Sequence, residues 1–114
     1  MHELSIAQAL VDQVEGVRTS NGGGRVLAAQ VRIGTWHLIV PDILAGYYEA
    51  LVSGTPLEGS RVTIETVDAR ARCNTCDRVF PVHEAWVVCP DCASLDACLL
   101  SGKELNLVSV ELED

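Results

Sequence analysis

Two Cys-x-x-Cys pairs, Cys73-Asn74-Thr75-Cys76 and Cys89-Pro90-Asp91-Cys92, stand twelve residues apart, and no other feature narrows the possible folds of this chain so sharply. Each pair can turn so that both sulfurs face the same way, and two such turns offer four thiolates to tetrahedral Zn(II). With every coordination position taken by protein sulfur, none is left for water or substrate, so the metal reads as structural. A rubredoxin-type iron site uses the same ligands at the same spacing. A thioredoxin-like redox pair fits less well, because the helix that should follow the motif is not in the right place. Between the pairs, Val79 to Val82 and Trp86 to Val88 are expected to form two short strands that hold the turns together. A module this short can hardly fold by burial alone, and metal binding on the order of 10 to 16 kcal/mol is what folds it.

The remaining sequence is long enough for one modest core into which such a module is inserted. From Leu4 to Val17, the residues Leu4, Ala7, Leu10, Val11 and Val14 follow the spacing of a helix face. Asn21-Gly22-Gly23-Gly24 then breaks the pattern, and without a following Gly-Lys-Ser/Thr it reads as a linker and not as a phosphate loop. Val26 to Gly34 alternates with a period of two, placing Leu27, Ala29, Val31 and Ile33 on one side of a strand. After the apolar loop Thr35 to Val40, Pro41-Asp42 marks the start of a second helix. That helix should run to about Val52 with Leu44, Tyr47, Tyr48 and Leu51 as core residues, and end at Gly54. Arg61 to Val67 and Leu105 to Leu112 are the remaining strands. The expected fold is therefore a small α/β layer, of the α+β type, with two helices on a three-stranded mixed sheet and an inserted zinc ribbon. Residues 1–69 with 99–114 would form the α/β domain, and residues 70–98 the ribbon.

Eight basic against sixteen acidic residues leave a net charge of −8. Such a field repels nucleic acid and anionic membrane and favours cations or basic partners. No apolar run approaches a membrane span, and the start lacks the basic and apolar regions of a signal peptide, so a cytoplasmic protein is expected. There the cysteines would be reduced, which again favours a metal site over disulfides. Arg70, Arg72 and Arg78 form a local basic edge on the ribbon. His37 and His83 are single imidazoles, read first as surface or loop histidines. The fifth thiol, Cys98, lies just beyond the ribbon and reads as a small hydrophobe, with a nickel-ligand role for it or for His37 left open.

The first three residues, Met1-His2-Glu3, offer an α-amine, the amide nitrogens of His2 and Glu3, and the His2 imidazole within reach of one ion, provided translation start is also the mature N-terminus. Four nitrogens in a plane suit Ni(II) or Cu(II). The start Met1-His2-Glu3-Leu4-Ser5-Ile6, the segments Val40-Pro41-Asp42, Tyr48-Glu49-Ala50 and Leu57-Glu58-Gly59, the paired cysteines, and the ending Val108-Ser109-Val110-Glu111 together resemble the HypA/HybF family of nickel metallochaperones. The likeness covers essentially the whole chain. It implies nickel carried by His2 with Met1 and Glu3, structural zinc on Cys73, Cys76, Cys89 and Cys92, and delivery of nickel to the precursor of [NiFe] hydrogenase, in some organisms also to urease. It also implies a nickel GTPase as accessory partner, no enzymatic activity, and a monomer or weak homodimer. The competing reading is a zinc-ribbon module for protein interaction or nucleic-acid binding, whose Met-His start is incidental. Two departures from the family pattern are visible. Gly34-Thr35-Trp36-His37-Leu38-Ile39 replaces a small, acidic loop, and the glycine usual after each cysteine turn is replaced by Asp77 and Ala93, which must accept positive φ or tighten the turn differently.

Overall fold

The computed structural model describes residues 3–83 and 86–113. Two compact units divide the chain: Met1–Arg32, Ile39–Glu65 and Asn106–Asp114 make the first, Ile33–Leu38 and Thr66–Leu105 the second. Two helices accompany a three-stranded mixed sheet, and a second three-stranded sheet lies in the segment between two of its strands.

In the first unit, helix α1 spans Glu3–Ser20 and buries Ile6, Ala7, Leu10 and Val14. Leu4, expected inside, is 39% exposed, because Ile6 and not Leu4 shares the stripe with Leu10 and Val14. The helix also runs three residues beyond Val17. Its last turn is held by Thr19 Oγ1 donating to the Glu15 carbonyl (3.1 Å), and Asn21 Nδ2 donating to the Val17 carbonyl (2.7 Å) closes the end. Strand β1 (Val26–Gly34) buries Val26, Ala29, Val31 and Ile33. Helix α2 (Pro41–Val52) has Pro41 in its first turn and buries Leu44, Tyr48 and Val52, four residues apart. This regular spacing leaves Tyr47 at 42% exposure and Leu51 half-buried, so neither anchors the core as expected.

The loop after α2 contributes one core residue that its turn-rich composition hides. Leu57 is almost fully buried, and its carbonyl accepts a bond from Ser60 Oγ at 2.7 Å. With the Ser60 proton committed there, the Tyr48 hydroxyl at 2.9 Å is the donor to Ser60 Oγ. The chain Tyr48 to Ser60 to Leu57 thus gives each of these three buried polar groups a partner. Fully burying a side chain such as Leu44 or Leu57 contributes on the order of 2 kcal/mol. Strands β2 (Arg61–Val67) and β6 (Leu105–Leu112) flank β1 in the order β2-β1-β6, with Val62 and Ile64 half-buried.

The second unit has its own sheet, β4-β3-β5, made of Arg70–Cys73 (β3), Val79–Pro81 (β4) and Ala97–Ser101 (β5). Both neighbours pair with β3 antiparallel. Of the two strands expected between the cysteine pairs, Val79–Pro81 forms, but no strand occurs at Trp86 to Val88. Val87 packs against the core there without a ladder, and the central strand β3 takes β5 as its second partner instead. Ala69, Ala71, Cys73, Phe80, Val82 and Cys89 form the buried cluster, with Trp36, Val87, Ala97 and Leu99 packed against it.

Trp36 belongs to the unusual loop, which is a short 3-10 turn over Thr35–His37. The turn is fastened at four points. The Gly34 and Trp36 amides donate to the carbonyls of Glu104 (2.7 Å) and Gly102 (3.1 Å). Thr35 Oγ1 accepts from the Ala69 amide at 2.7 Å. His37 Nε2 lies 2.9 Å from the Lys103 carbonyl, and since a carbonyl only accepts, that nitrogen carries the proton. The Lys103 ammonium stands over the Trp36 ring, 5.8 Å from its centroid. Of the bulky residues that replace a small loop, Trp36 packs against the core of the second unit, while Leu38 is exposed.

Candidate metal centre

Four sulfurs converge between the two cysteine turns. Those of Cys73, Cys76, Cys89 and Cys92 all lie within 4.8 Å of one another, with Cys73 to Cys92 at 3.5 Å and Cys76 to Cys89 at 3.6 Å. A tetrahedral ion with Zn–S bonds of 2.3 Å separates its sulfurs by about 3.8 Å, so the present spacing fits such an ion with small adjustment. Cys73 and Cys89, the first residue of each pair, are buried, whereas Cys76 and Cys92 are exposed.

The two turns are built alike. The Asp77 amide donates to the Cys73 carbonyl and the Ala93 amide to the Cys89 carbonyl, each at 2.9 Å. In return, the amides of Cys73 and Cys89 donate to the carbonyls of Arg78 (2.8 Å) and Ser94 (3.0 Å). Closing each turn in this way puts Asp77 at φ 63° and Ala93 at φ 59°. Both residues accept the left-handed conformation that glycine would take without strain. The turns are also tied to each other. Thr75 Oγ1 and Ser94 Oγ are 3.0 Å apart, and Arg78 Nη1 is paired with Asp91 Oδ1 at 2.6 Å.

Backbone amides aimed at sulfur prepare the site for charge. The Cys76 and Thr75 amides point at Cys73 Sγ from 3.5 and 3.4 Å, and they lower its thiol to about 6. Cys76 goes the other way. The Arg78 amide favours its thiolate, but the Cys89 sulfur, burial and the other sulfurs outweigh it and push the thiol up to about 12. Cys92 is raised as well, the Ser94 amide being outweighed by the Cys73 sulfur and burial. Four sulfurs this close cannot all ionise without a cation, and a divalent ion removes that obstacle. The donor set, closed and all-sulfur, suits structural zinc and offers no open position for a substrate.

Cys98 stands outside this group. Its sulfur contacts the side chain of Asn74, with Asn74 Nδ2 at 3.3 Å, while the same amide nitrogen donates to Asp96 Oδ1 at 3.0 Å. His37 is occupied with Lys103, and His83 is exposed. At the start of the chain, Met1 and His2 lie outside the described residues. Glu3 opens α1, and its Oε2 accepts the Val40 amide at 3.1 Å, next to the first turn of α2. A carboxylate borrowed from another helix thus stands where the Val40 side chain cannot cap. Composition held no sign of that pairing.

A two-helix α/β layer with an inserted four-cysteine zinc-ribbon module defines a class of small metalloproteins, and comparison with known proteins narrows it. A family model described as "Hydrogenase/urease nickel incorporation, metallochaperone, hypA" matches residues 1–112. The chain belongs to the HypA family. It is 40% identical over 113 residues to the hydrogenase maturation factor HypA of Geobacter metallireducens, covering 99% of this chain and 100% of that one. To the factor of the same name from Deinococcus radiodurans it is 41% identical over 110 residues, covering 94% and 89%. The solution structure of the Ni metallochaperone HypA from Helicobacter pylori has the same fold, with a TM-score of 0.67, 22% identity, and coverage of 98% and 97%.

Proposed function

We propose that this protein is a nonenzymatic nickel carrier that takes Ni(II) at Met1, His2 and Glu3 and delivers it during maturation of [NiFe] hydrogenase. The observation that carries this reading is a nickel-incorporation family match that extends from residue 1 and so takes in the Met-His-Glu start. The α-amine of Met1, the amides of His2 and Glu3 and the His2 imidazole supply four nitrogens in one short chelate, the donor type and planar geometry that Ni(II) selects. The Glu3 contribution is its main-chain nitrogen, which leaves its carboxylate on the Val40 amide. In this division of labour, the first unit, which includes the chain start, is the nickel domain, and the second carries zinc on Cys73, Cys76, Cys89 and Cys92 as structure. Partners in this reading are a nickel GTPase and the hydrogenase large-subunit precursor, with urease a further recipient, all in the cytoplasm. Among the described residues no helix is long and apolar enough to cross a membrane. Affinity is moderate, because a carrier must release its cargo.

The test compares calorimetric nickel titrations of the untagged chain, His2→Ala, and a chain with a Gly-Ser extension ahead of Met1, all at equal zinc content. The extension turns the α-amine into a peptide amide, so both altered chains should lose tight nickel binding while keeping one zinc. Binding by the native chain should release protons, since amine and amides must deprotonate, and should strengthen as pH rises. An extended chain that binds nickel as tightly as the native one would move the site away from the terminus.

A further inference from the structure

The outer face of the ribbon sheet carries an arrangement that neither metal uses. Along β3 the side chains alternate, with Ala71 and Cys73 buried and Arg70 and Arg72 exposed on the opposite face. In the β4-β3-β5 sheet, Arg72 lies between Val79 and Cys98, and Arg70 between Pro81 and Ser101. A bulge between Arg70 and Ala71 inserts Leu100 as an extra residue on β5, and it is 50% exposed. Val79 on the other edge is 41% exposed. The result is a central row of two guanidinium groups bordered by aliphatic side chains.

This row stands in a chain with sixteen acidic and eight basic residues. Arg78, close by, is neutralised by Asp91 at 2.6 Å. Arg70 and Arg72 form no ion pair and no side-chain hydrogen bond among the described residues, although acidic residues outnumber basic ones two to one. Two residues apart on one strand, their side chains leave the sheet about 6.8 Å apart. The same repeat separates residues i and i+2 of any extended chain, so carboxylates at those positions can meet both guanidiniums at once, each as a paired N–H to oxygen contact.

We propose that the outer face of β3 docks an extended acidic segment of a partner protein with carboxylates at alternate positions, through Arg70 and Arg72, with Val79 and Leu100 as aliphatic borders. Charge complementarity selects the occupant: a basic segment or a neutral apolar one would leave two guanidiniums facing no partner. The inference is independent of the nickel reading, since it involves neither the chain start nor the cysteines.

The probe is an eight-residue peptide of alternating Glu and Thr, titrated into zinc-loaded, isotopically labelled full-length protein and followed by amide chemical shifts. A peptide of the same composition with the four Glu in one block is the comparison. The alternating peptide should perturb Arg70, Arg72, Val79 and Leu100, bind about tenfold more tightly than the block peptide, and weaken as salt is raised. Arg70→Glu with Arg72→Glu should abolish the effect, Arg70→Gln with Arg72→Gln should weaken it, and Arg61→Glu on the other unit should leave it intact. Zinc content and the circular dichroism spectrum establish that each variant is folded, and the Gln pair serves if the reversed pair is not. Equal binding of the two peptides, shifts confined to other residues, or undiminished binding by the Gln pair would overturn the proposal. So would concentration-dependent dimerisation that the Arg variants abolish, because a second copy would then be the occupant.

Discussion

At the scale of single residues, the site rests on positions whose backbone or hydrogen bonding is costly to change. Ala93 sits at φ 59° to close its cysteine turn, where a Cβ costs roughly 1 kcal/mol. Ala93→Gly removes that strain and adds disorder to the unfolded chain, so its effect on urea stability of the zinc-loaded protein should lie between zero and about 1 kcal/mol of gain. Ala93→Val should instead destabilise, since a β-branched side chain is worst suited to this region. A loss on going to glycine would show that the left-handed conformation is not held in solution. Tyr48 offers a second check. Burial raises its phenol above the ordinary range. The neutral form is therefore the one the fold prefers, so this contribution is complete below about pH 10 and is lost as pH rises through the raised folded value. Tyr48→Phe should cost about 1 kcal/mol and flatten that alkaline decline, whereas Ser60→Ala strands both the phenol and the Leu57 carbonyl and should cost about 1–3 kcal/mol. Urea titrations at neutral and alkaline pH distinguish the two.

At the scale of elements, the 3-10 turn at Thr35–His37 depends on how closely two backbones approach. A Cβ on Gly34 would run into the Gly102 carbonyl, and one on Gly102 into the backbone of Ala69. Gly102 also has φ 105°, so Gly102→Ala adds a dihedral penalty of about 1–3 kcal/mol to the clash. Gly22 makes the control. It too has positive φ, at 99°, but a Cβ there meets nothing within 4 Å. Gly22→Ala should cost only the dihedral term, while Gly102→Ala should loosen the whole turn and expose Trp36, read as a red shift of tryptophan emission in the zinc-loaded protein. Equal costs for the two substitutions would show that the close approach contributes nothing.

For the whole molecule, zinc and protons compete for the same sulfurs. Cys76, at about 12, and Cys92, also raised, hold protons at neutral pH that zinc must displace. Cys73, at about 6, is already ionised there and joins the competition only in more acidic solution. Apparent zinc affinity should therefore fall as pH falls, by at least about a hundredfold per pH unit near neutrality, and more steeply once Cys73 binds its proton. Competition with a chromophoric chelator between about pH 6 and pH 8 measures the slope, and a flat profile would contradict thiolate ligation. Cys89→Ser should release the metal, because a hydroxyl does not replace a thiolate in a closed four-sulfur site.

Local sequence pattern by itself determined the two helices, the three strands of the first sheet and the four cysteines, because each is written in a spacing: 3.6 for a helix face, two for a strand, two residues inside a metal turn. The family resemblance marked Asp77 and Ala93 as residues that must accept positive φ or tighten the turn differently, and both take positive φ. Strands β3 and β5 were not legible. Arg70–Cys73 is too short to show a period, and Ala97–Ser101 carries apolar residues in succession without alternation. The role of Leu57, the Glu3 carboxylate on the Val40 amide, and the transfer of Ile33–Leu38 to the second unit were likewise decided only in three dimensions. Each depends on a partner distant in sequence: Tyr48 through Ser60, the start of α2, and Gly102 with Lys103. A local pattern can say that a side chain seeks burial or that a backbone group needs a bond, but which distant group supplies it is settled by packing.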